Sequence, residues 1–464
     1  MHKEEIPAHI FRAYDIRGIF NDDLYPETML KIGRALGTYA KERCETSVVV
    51  GNDIRATSTL LANAFISGLL SSGLDVTNTG TTTFGACAFA GWRLKKDITA
   101  YVTASHLPPE WNGVKLYTGE GIGFSAESNE ELMDIVLEGE AESVLWHEVG
   151  NYHELDLRAE YIEYIAKRFD RDVFDGKRIV LDCGNGSMGL VALDVVNRIK
   201  LKAEALFPNP DPSFPNRPSE PTDATLGALK AEVPRKKAAF GAAFDGDGDR
   251  VVIVDDRGRT LSADQCGVIL AQALLKEQQG TVLANVECSM LLERELELDE
   301  LGGKIVRIPV GHTFLTKEAK ERDAVLGIES SGHYVMPSFF PFDDAMVIPL
   351  KIAEILVKTG RTLSELVDEL PEFPKQRMNI QCGDTVKFEV MRVLAERLSS
   401  EYGSDKINTM DGIRVEQGDE GWALIRASNT SPLIRVTAEG ATEAILANLM
   451  NEFVRVTEDA ISTF

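Results

Sequence analysis

Basic residues are scarce in this 464-residue chain: 49 Lys and Arg stand against 73 Asp and Glu, a formal net charge of −24. That imbalance argues against a nucleic-acid partner, because binding to a phosphate backbone depends on clustered Lys and Arg. It leaves room for a small anionic ligand, since a local basic pocket can form on an acidic protein. Cysteine is sparse too. Cys44, Cys87, Cys183, Cys266, Cys288 and Cys382 are scattered, with no C-x-x-C pair and no Cys/His cluster. Neither a disulfide framework nor a structural zinc site is expected. No apolar run approaches the roughly 18–20 residues of a membrane-spanning helix. The opening residues, MHKEEIPAHIFRAYDIRG, lack the apolar stretch of a signal peptide. A cytoplasmic protein with no membrane partner is the expectation.

What remains is ordinary folded composition, 44% hydrophobic and 26% charged, in a chain long enough for about three or four domains. Strand-like and helix-like patterns alternate. Ser47–Val50 and Ile98–Val102 read as buried strands, and residues 57–72 and 125–138 as helices. A polar stretch, residues 148–154, precedes a second cycle: a helix over 160–168, a strand over Arg178–Leu181, a helix over 189–198 and a strand ending at Phe244. The proline-rich run Pro208–Pro221 reads as a loop. A third cycle places a helix over 262–277, strands over 281–286, 305–309 and 325–328, and a helix over 345–358. After Pro371 and Pro374 the pattern changes to a helix near 387–399, strands near 422–426 and 433–438, and a terminal helix from Thr442. The predicted fold is three similar α/β mixed-sheet domains followed by a smaller α+β domain around a central cleft, with boundaries at 1–150, 151–254, 255–370 and 371–464.

Four loops carry chemistry. Asp245-Gly246-Asp247-Gly248-Asp249-Arg250 follows an apolar strand, and glycines between alternate carboxylates let all three converge on one hard cation. An acidic surface turn and a phosphatase with an aspartate nucleophile share parts of this pattern. An EF-hand loop does not fit, because Arg250 and Asp256 occupy its Gly and Glu positions. Mg²⁺ suits an all-oxygen site open to phosphate. Thr103-Ala104-Ser105-His106-Leu107-Pro108 also follows a strand, where open α/β sheets place ligands. Ser105 there is a candidate nucleophile or phosphate carrier, with Lys115 ten residues on. A capping serine is the alternative, and no G-x-S-x-G context supports an acyl hydrolase. Gly327-Ile328-Glu329-Ser330-Ser331-Gly332-His333 groups an acid, hydroxyls and an imidazole suited to sugar hydroxyls, or to a structural turn. Arg426-Ala427-Ser428-Asn429-Thr430-Ser431-Pro432, with Arg435, offers planar guanidinium forks and hydroxyls for a phosphate, or a plain hairpin.

In this order the four loops, with FRAYDIRG near the start, resemble the α-D-phosphohexomutase superfamily, specifically its phosphomannomutase/phosphoglucomutase branch, across essentially the whole chain. The resemblance implies that Ser105 is a phosphoserine, with His106 beside it and Lys115 as an acid/base group. It implies that Asp245, Asp247 and Asp249 hold Mg²⁺ together with the serine phosphate, which Arg250 contacts. Glu329 and Ser331 would bind sugar hydroxyls, with His312 and His333 completing that side. Arg426, Ser428, Asn429, Thr430 and Arg435 would grip the phosphate that is not transferred, and Tyr14 and Arg17 match the family's N-terminal pocket residues. The implied reaction interconverts hexose 6-phosphate and hexose 1-phosphate through a hexose 1,6-bisphosphate, with mannose and glucose as the sugars, in a monomer or homodimer. Two positions depart from the family pattern: Leu107 stands where Asn is usual, and Ile328 where Gly is usual. Asn429-Thr430 resembles the mannose/glucose branch rather than phosphoglucosamine mutase, which remains an alternative, as does a non-catalytic sugar-phosphate-binding protein.

Overall fold

The computed structural model describes residues 6–139, 141, 143–170, 174, 176–296, 301–403, 405–428 and 432–464. Four sheets follow one another along the chain. In the first, the strands Ile98–Val102, Ser47–Asn52, Asp75–Thr81 and Tyr152–Glu154 run parallel, while Trp111–Thr118 and Ile16–Ile19 close the other side antiparallel. The second sheet pairs Lys202–Leu206, Arg178–Asp182 and Phe240–Phe244 in parallel and adds Val251–Asp255 antiparallel. The third repeats that plan with Gly303–Ile308, Gly280–Asn285 and Leu326–Ile328 parallel and Tyr334–Val335 antiparallel. The fourth, from Lys375 to Gly440, is antiparallel throughout. The alternation read from sequence therefore becomes three α/β sheets and one α+β unit. No helix among the described residues is long and apolar enough to cross a membrane.

Two segments differ from the sequence expectation. The polar stretch 148–154 ends in an edge strand, Tyr152–Glu154, whose three residues are all exposed. An edge strand open on both faces needs no apolar alternation, so no periodic signal marks it. The helix expected over 189–198 is a 3₁₀ turn, Ser187–Leu190, followed by Ala192–Arg198. A side chain at Gly189 would lie 2.0 Å from the Pro208 carbonyl, so the proline-rich loop is packed against that turn.

The cores divide the molecule unequally. One continuous cluster of buried side chains runs from Val49 to Leu370 and joins the first three units. The fourth unit has its own core, from Cys382 to Ala460. A small apolar contact of Val286, Met290, Trp422 and Leu424 joins it to the third. Polar bonds flank this joint: Glu439 accepts from the Trp422 indole at 2.7 Å and from the Met290 backbone at 2.8 Å.

Candidate active site

The four loops singled out above all leave the ends of strands, and the fold brings them to one place. Thr103–Pro108 leaves the strand Ile98–Val102, and its hinge is Ser105, fully buried at a positive φ of 49°. A side chain in the left-handed region costs about 1 kcal/mol or more, so the surroundings must hold it there. Arg55 does much of this. Its guanidinium donates to the carbonyls of Ser105 (2.8 Å), Leu107 (2.6 Å), Pro108 and Trp111 (3.2 Å), and its Nε to Asp53 (3.0 Å). The Ser105 amide donates to Thr103 Oγ1 at 2.8 Å. From the proline-rich loop, Ser219 donates to the His106 and Leu107 carbonyls at 2.7 and 2.9 Å. These contacts aim the Ser105 hydroxyl at Asp245 Oδ2, 2.8 Å away.

Asp245, Asp247 and Asp249 form the facing wall. Gly246 is required there, because a Cβ would lie 2.5 Å from the Ser105 carbonyl oxygen, and Gly248 takes a φ of +85°. Asp245 Oδ1 is fixed by the amides of Gly248 (3.0 Å) and Arg250 (3.2 Å). One oxygen of each carboxylate lies within 4.8 Å of the others, and all three residues are buried. Oδ1 of Asp247 and Oδ1 of Asp249 have no hydrogen-bond partner among the described residues. Burial first, and then the neighbouring aspartates, push Asp245 well above the ordinary carboxylate range. Orphaned, mutually repelling oxygens converging on one point are a donor set that fits a hard divalent cation. Lys115 Nζ bridges Asp247 (2.9 Å) and Asp249. Burial alone would lower its pKa, but Asp247 and Asp249 outweigh it and hold the ammonium charged.

Arg250 leads away from the triad. Its Nε donates to His333 Nε2 at 2.8 Å. A guanidinium only donates, so Nε2 is the acceptor and the ring proton sits on Nδ1, facing Asp343 Oδ2 at 2.7 Å. Asp343 thus sets the tautomer that orients Arg250.

A cleft of about 560 Å³ lies over this floor and draws its walls from all four units. Tyr14, Arg17, His106 and Lys115 come from the first, and Arg250 from the second. His312, Glu329 and His333 come from the third, and Arg426, Ser428 and Arg435 from the fourth. Arg17 is tied to Asp15 at 2.7 Å, yet its Nη1 is buried with no partner among the described residues. Burial, and then Asp411, raises the Tyr14 phenol to about 12, which keeps it a donor. His312 stacks on Tyr117 with ring centroids 5.5 Å apart, and its Nε2 has no partner among the described residues. Burial lowers its pKa, and burial followed by Arg250 lowers that of His106 far more, so both imidazoles are neutral. Glu329 accepts from the Gly311 amide at 3.0 Å and from the Ser331 hydroxyl at 2.6 Å. Arg426 is braced by Asp411 at 2.8 Å, and Arg435 touches Asn379 at 3.3 Å. Asn429 and Thr430 lie outside the described residues.

The two departures from the family pattern have different fates. Ile328 is fully buried and packs on the helix Ala263–Glu277, where a Cβ on Gly267 would lie 2.6 Å from it. It fills core space away from the cleft. Leu107 lines the cleft.

Several residues of the site carried no signal that the loop motifs captured. Arg55 and Asp53 follow the strand Ser47–Asn52, as the other loops follow theirs, and an Asp-x-Arg pair at a strand end was the available clue. Arg217 and Ser219 sit in the proline-rich run, where Arg217 donates to both Asp182 oxygens at 3.1 Å and to the Phe244 carbonyl at 2.6 Å. Asp343 gave no clue, because its role exists only through His333.

Comparison with known proteins agrees with this arrangement along the chain. Models of the phosphoglucomutase/phosphomannomutase family match at residues 8–143 (alpha/beta/alpha domain I), 159–258 (domain II), 262–373 (domain III) and 382–456 (C-terminal domain). A protein of Methanopyrus kandleri named "Probable phosphoglucosamine mutase" is 36% identical over 96% of this chain and 97% of its own length. A Thermococcus kodakarensis protein named phosphoglucomutase/phosphomannomutase is 33% identical over 97% of this chain and 99% of its own length. A crystal structure of a phosphoglucomutase/phosphomannomutase family protein from Burkholderia thailandensis superposes with a TM-score of 0.88 at 28% identity, covering 98% of each chain. The chain belongs to the phosphoglucomutase/phosphomannomutase family, within the α-D-phosphohexomutase superfamily.

Proposed function

We propose that the protein is a phosphosugar mutase that moves a phosphoryl group between the 6 and 1 positions of a hexose through Ser105. The observation that carries this reading is the Ser105 hydroxyl, aimed at a buried carboxylate triad beneath a cleft whose far wall carries Arg426 and Arg435. On this reading the domains at 1–150, 151–254, 255–370 and 371–464 each contribute one loop. Asp245, Asp247 and Asp249 would hold Mg²⁺, which when bound neutralises charge on the transferring phosphoryl group. The chain's own residues do the positioning. Arg250, oriented through His333, faces the transferring phosphate, and Lys115 adds a second positive charge. Lys115 is held as an ammonium by Asp247 and Asp249, so it is a fixed positive charge, and its acid/base role requires those carboxylates to be engaged elsewhere. Of the two neutral imidazoles, His312, whose pKa is lowered less than that of His106, is the better candidate to take the proton from an attacking sugar hydroxyl.

Glu329 and Ser331 then read the sugar hydroxyls, and Arg426, Ser428, Asn429, Thr430 and Arg435 anchor the phosphate that stays. Arg17 Nη1 and Tyr14 are the donors the first unit adds. The hexose 1,6-bisphosphate formed in the first half-reaction must turn so that its other phosphate meets Ser105, and the fourth unit must accept either end of it. Mannose and glucose are the sugars we assign, on the Asn429-Thr430 pair. Glucosamine is the second reading, favoured by the name of the 36%-identical relative. Turnover of mannose, glucose and glucosamine 6-phosphates, measured with Mg²⁺ and glucose 1,6-bisphosphate, tests both. Highest kcat/KM on mannose or glucose supports the assignment, highest on glucosamine replaces the sugar, and no turnover on any of them removes the mutase reading.

A further inference from the structure

A second cleft, of about 910 Å³, opens at the end of the first sheet opposite Ser105. Asp97, just before the strand Ile98–Val102, lines it, as do Thr118 at the end of Trp111–Thr118 and Lys320 from the third unit. Its volume lies in the range of small-molecule sites, roughly 300–1,000 Å³. Nothing in the proposed chemistry uses it.

Its charges are unevenly satisfied. Arg93, Lys95 and Lys96 stand on its wall at the end of the helix Phe84–Leu94, and none is paired with a carboxylate among the described residues. The acids around them are mostly engaged. Asp97 accepts from the amides of Thr46 (2.9 Å) and Ser47 (3.0 Å) and from the Ser47 hydroxyl (2.8 Å), and Glu120 is paired with Lys320. Glu45 is the exception: its Oε2 is buried with no partner among the described residues. The remaining wall is mostly apolar. Trp92 forms part of it and makes edge contacts to Tyr164 (5.7 Å) and Phe340 (6.3 Å). Cations at a helix C-terminus offset the helix dipole, but that role requires neither an indole wall nor an orphaned carboxylate oxygen.

We propose that this cleft binds a nucleoside diphosphate. The base lies against Trp92, as aromatic platforms receive flat rings. The diphosphate meets Arg93, Lys95 and Lys96, where the Arg fork matches phosphate oxygens. Glu45, which lines the same cleft, is the acceptor for a ribose hydroxyl or a base amine. The helix His312–Glu321 spans the distance between the two sites, with His312 on the catalytic cleft and Lys320 on this one.

The test titrates the full-length protein with ADP, GDP, UDP and inorganic pyrophosphate, followed by calorimetry and tryptophan fluorescence, with glucose 1,6-bisphosphate saturating the catalytic cleft. The expected result is saturable binding of at least one nucleoside diphosphate, tighter than pyrophosphate, with a fluorescence change that Trp92→Phe abolishes. The double substitution Lys95→Glu/Lys96→Glu weakens binding by about 10-fold or more, while mutase turnover stays at the wild-type level. Any one of three results overturns the proposal: no saturable binding of any nucleotide, pyrophosphate binding as tightly as the nucleotides, or affinity that the double charge reversal leaves unchanged.

Discussion

The two ends of the catalytic cleft are built differently. At one end, Ser105, Lys115 and the three aspartates are buried, and the loops carrying them are cross-braced by Arg55, Ser219 and His333 across three units that one buried cluster joins, although the first also has a core of its own. At the other, Arg426, Ser428 and Arg435 stand on a fourth unit with a separate core, joined through four apolar side chains and a polar seam. Phosphoryl transfer gains most from fixed positions and fixed charges, so the first end is rigid by construction. On the proposed mechanism an intermediate turns end for end and would gain from a grip that can release, and the separately cored fourth unit is where that release is expected.

That contrast can be broken, or sharpened, by substitution. The largest expected effect is from Ser105→Ala, which removes the attacking and accepting oxygen. Turnover should fall by about 10³-fold or more while hexose phosphate still binds by calorimetry. Asp247→Asn should follow, with kcat down by on the order of 10²–10³ and weaker Mg²⁺ dependence, because one charge of the cation site is gone. At the fourth-unit end, Arg426→Ala should raise KM by about 10–100-fold and change kcat much less. An equal fall in kcat and kcat/KM for Arg426→Ala would erase the proposed division between the two ends.

The smallest effect concerns the three-unit block. Asp344 accepts from Tyr161 at 2.9 Å and sits where a Cβ on Gly85 would approach it to 2.2 Å, so it lies at the junction of all three units. Burial raises its carboxyl to about 7 from an ordinary 3.8. Between those values the folded state holds a proton that the unfolded state has released, so stability falls as pH rises through this window and levels off above it. Asp344→Asn should flatten the slope of Tm against pH between about 4 and 7, read by thermal unfolding. An unchanged slope would mean that the junction is not the titrating element.

Much of this was legible in the sequence, for definable reasons. Loops at the ends of buried strands combine an apolar run with an abrupt polar motif, so Thr103–Pro108, Asp245–Arg250 and Glu329–His333 announced themselves. The residues that hold those loops did not. Arg55 acts through backbone carbonyls, and any loop of suitable shape would accept from it, so no side-chain pattern in the loop points back to it. Asp343 matters because His333 faces it, a relation made by folding. Tyr152–Glu154 pairs along one edge with both faces in water, and hydrophobic periodicity cannot show such a strand. The separation of the fourth core from the first three is likewise a property of packing, foreshadowed only by Pro371 and Pro374.

The central claim is that Ser105 carries the phosphate. Incubating the protein with Mg²⁺ and glucose 1,6-bisphosphate, then mapping peptides by mass spectrometry, tests it directly. The account predicts one phosphate on Ser105, released hexose monophosphate, and exchange of that phosphate into the sugar phosphates when hexose 6-phosphate is added, read with an isotopically labelled phosphoryl group. Inorganic phosphate released with Ser105 unmodified would contradict it and would point instead to an aspartate nucleophile in the Asp245 loop.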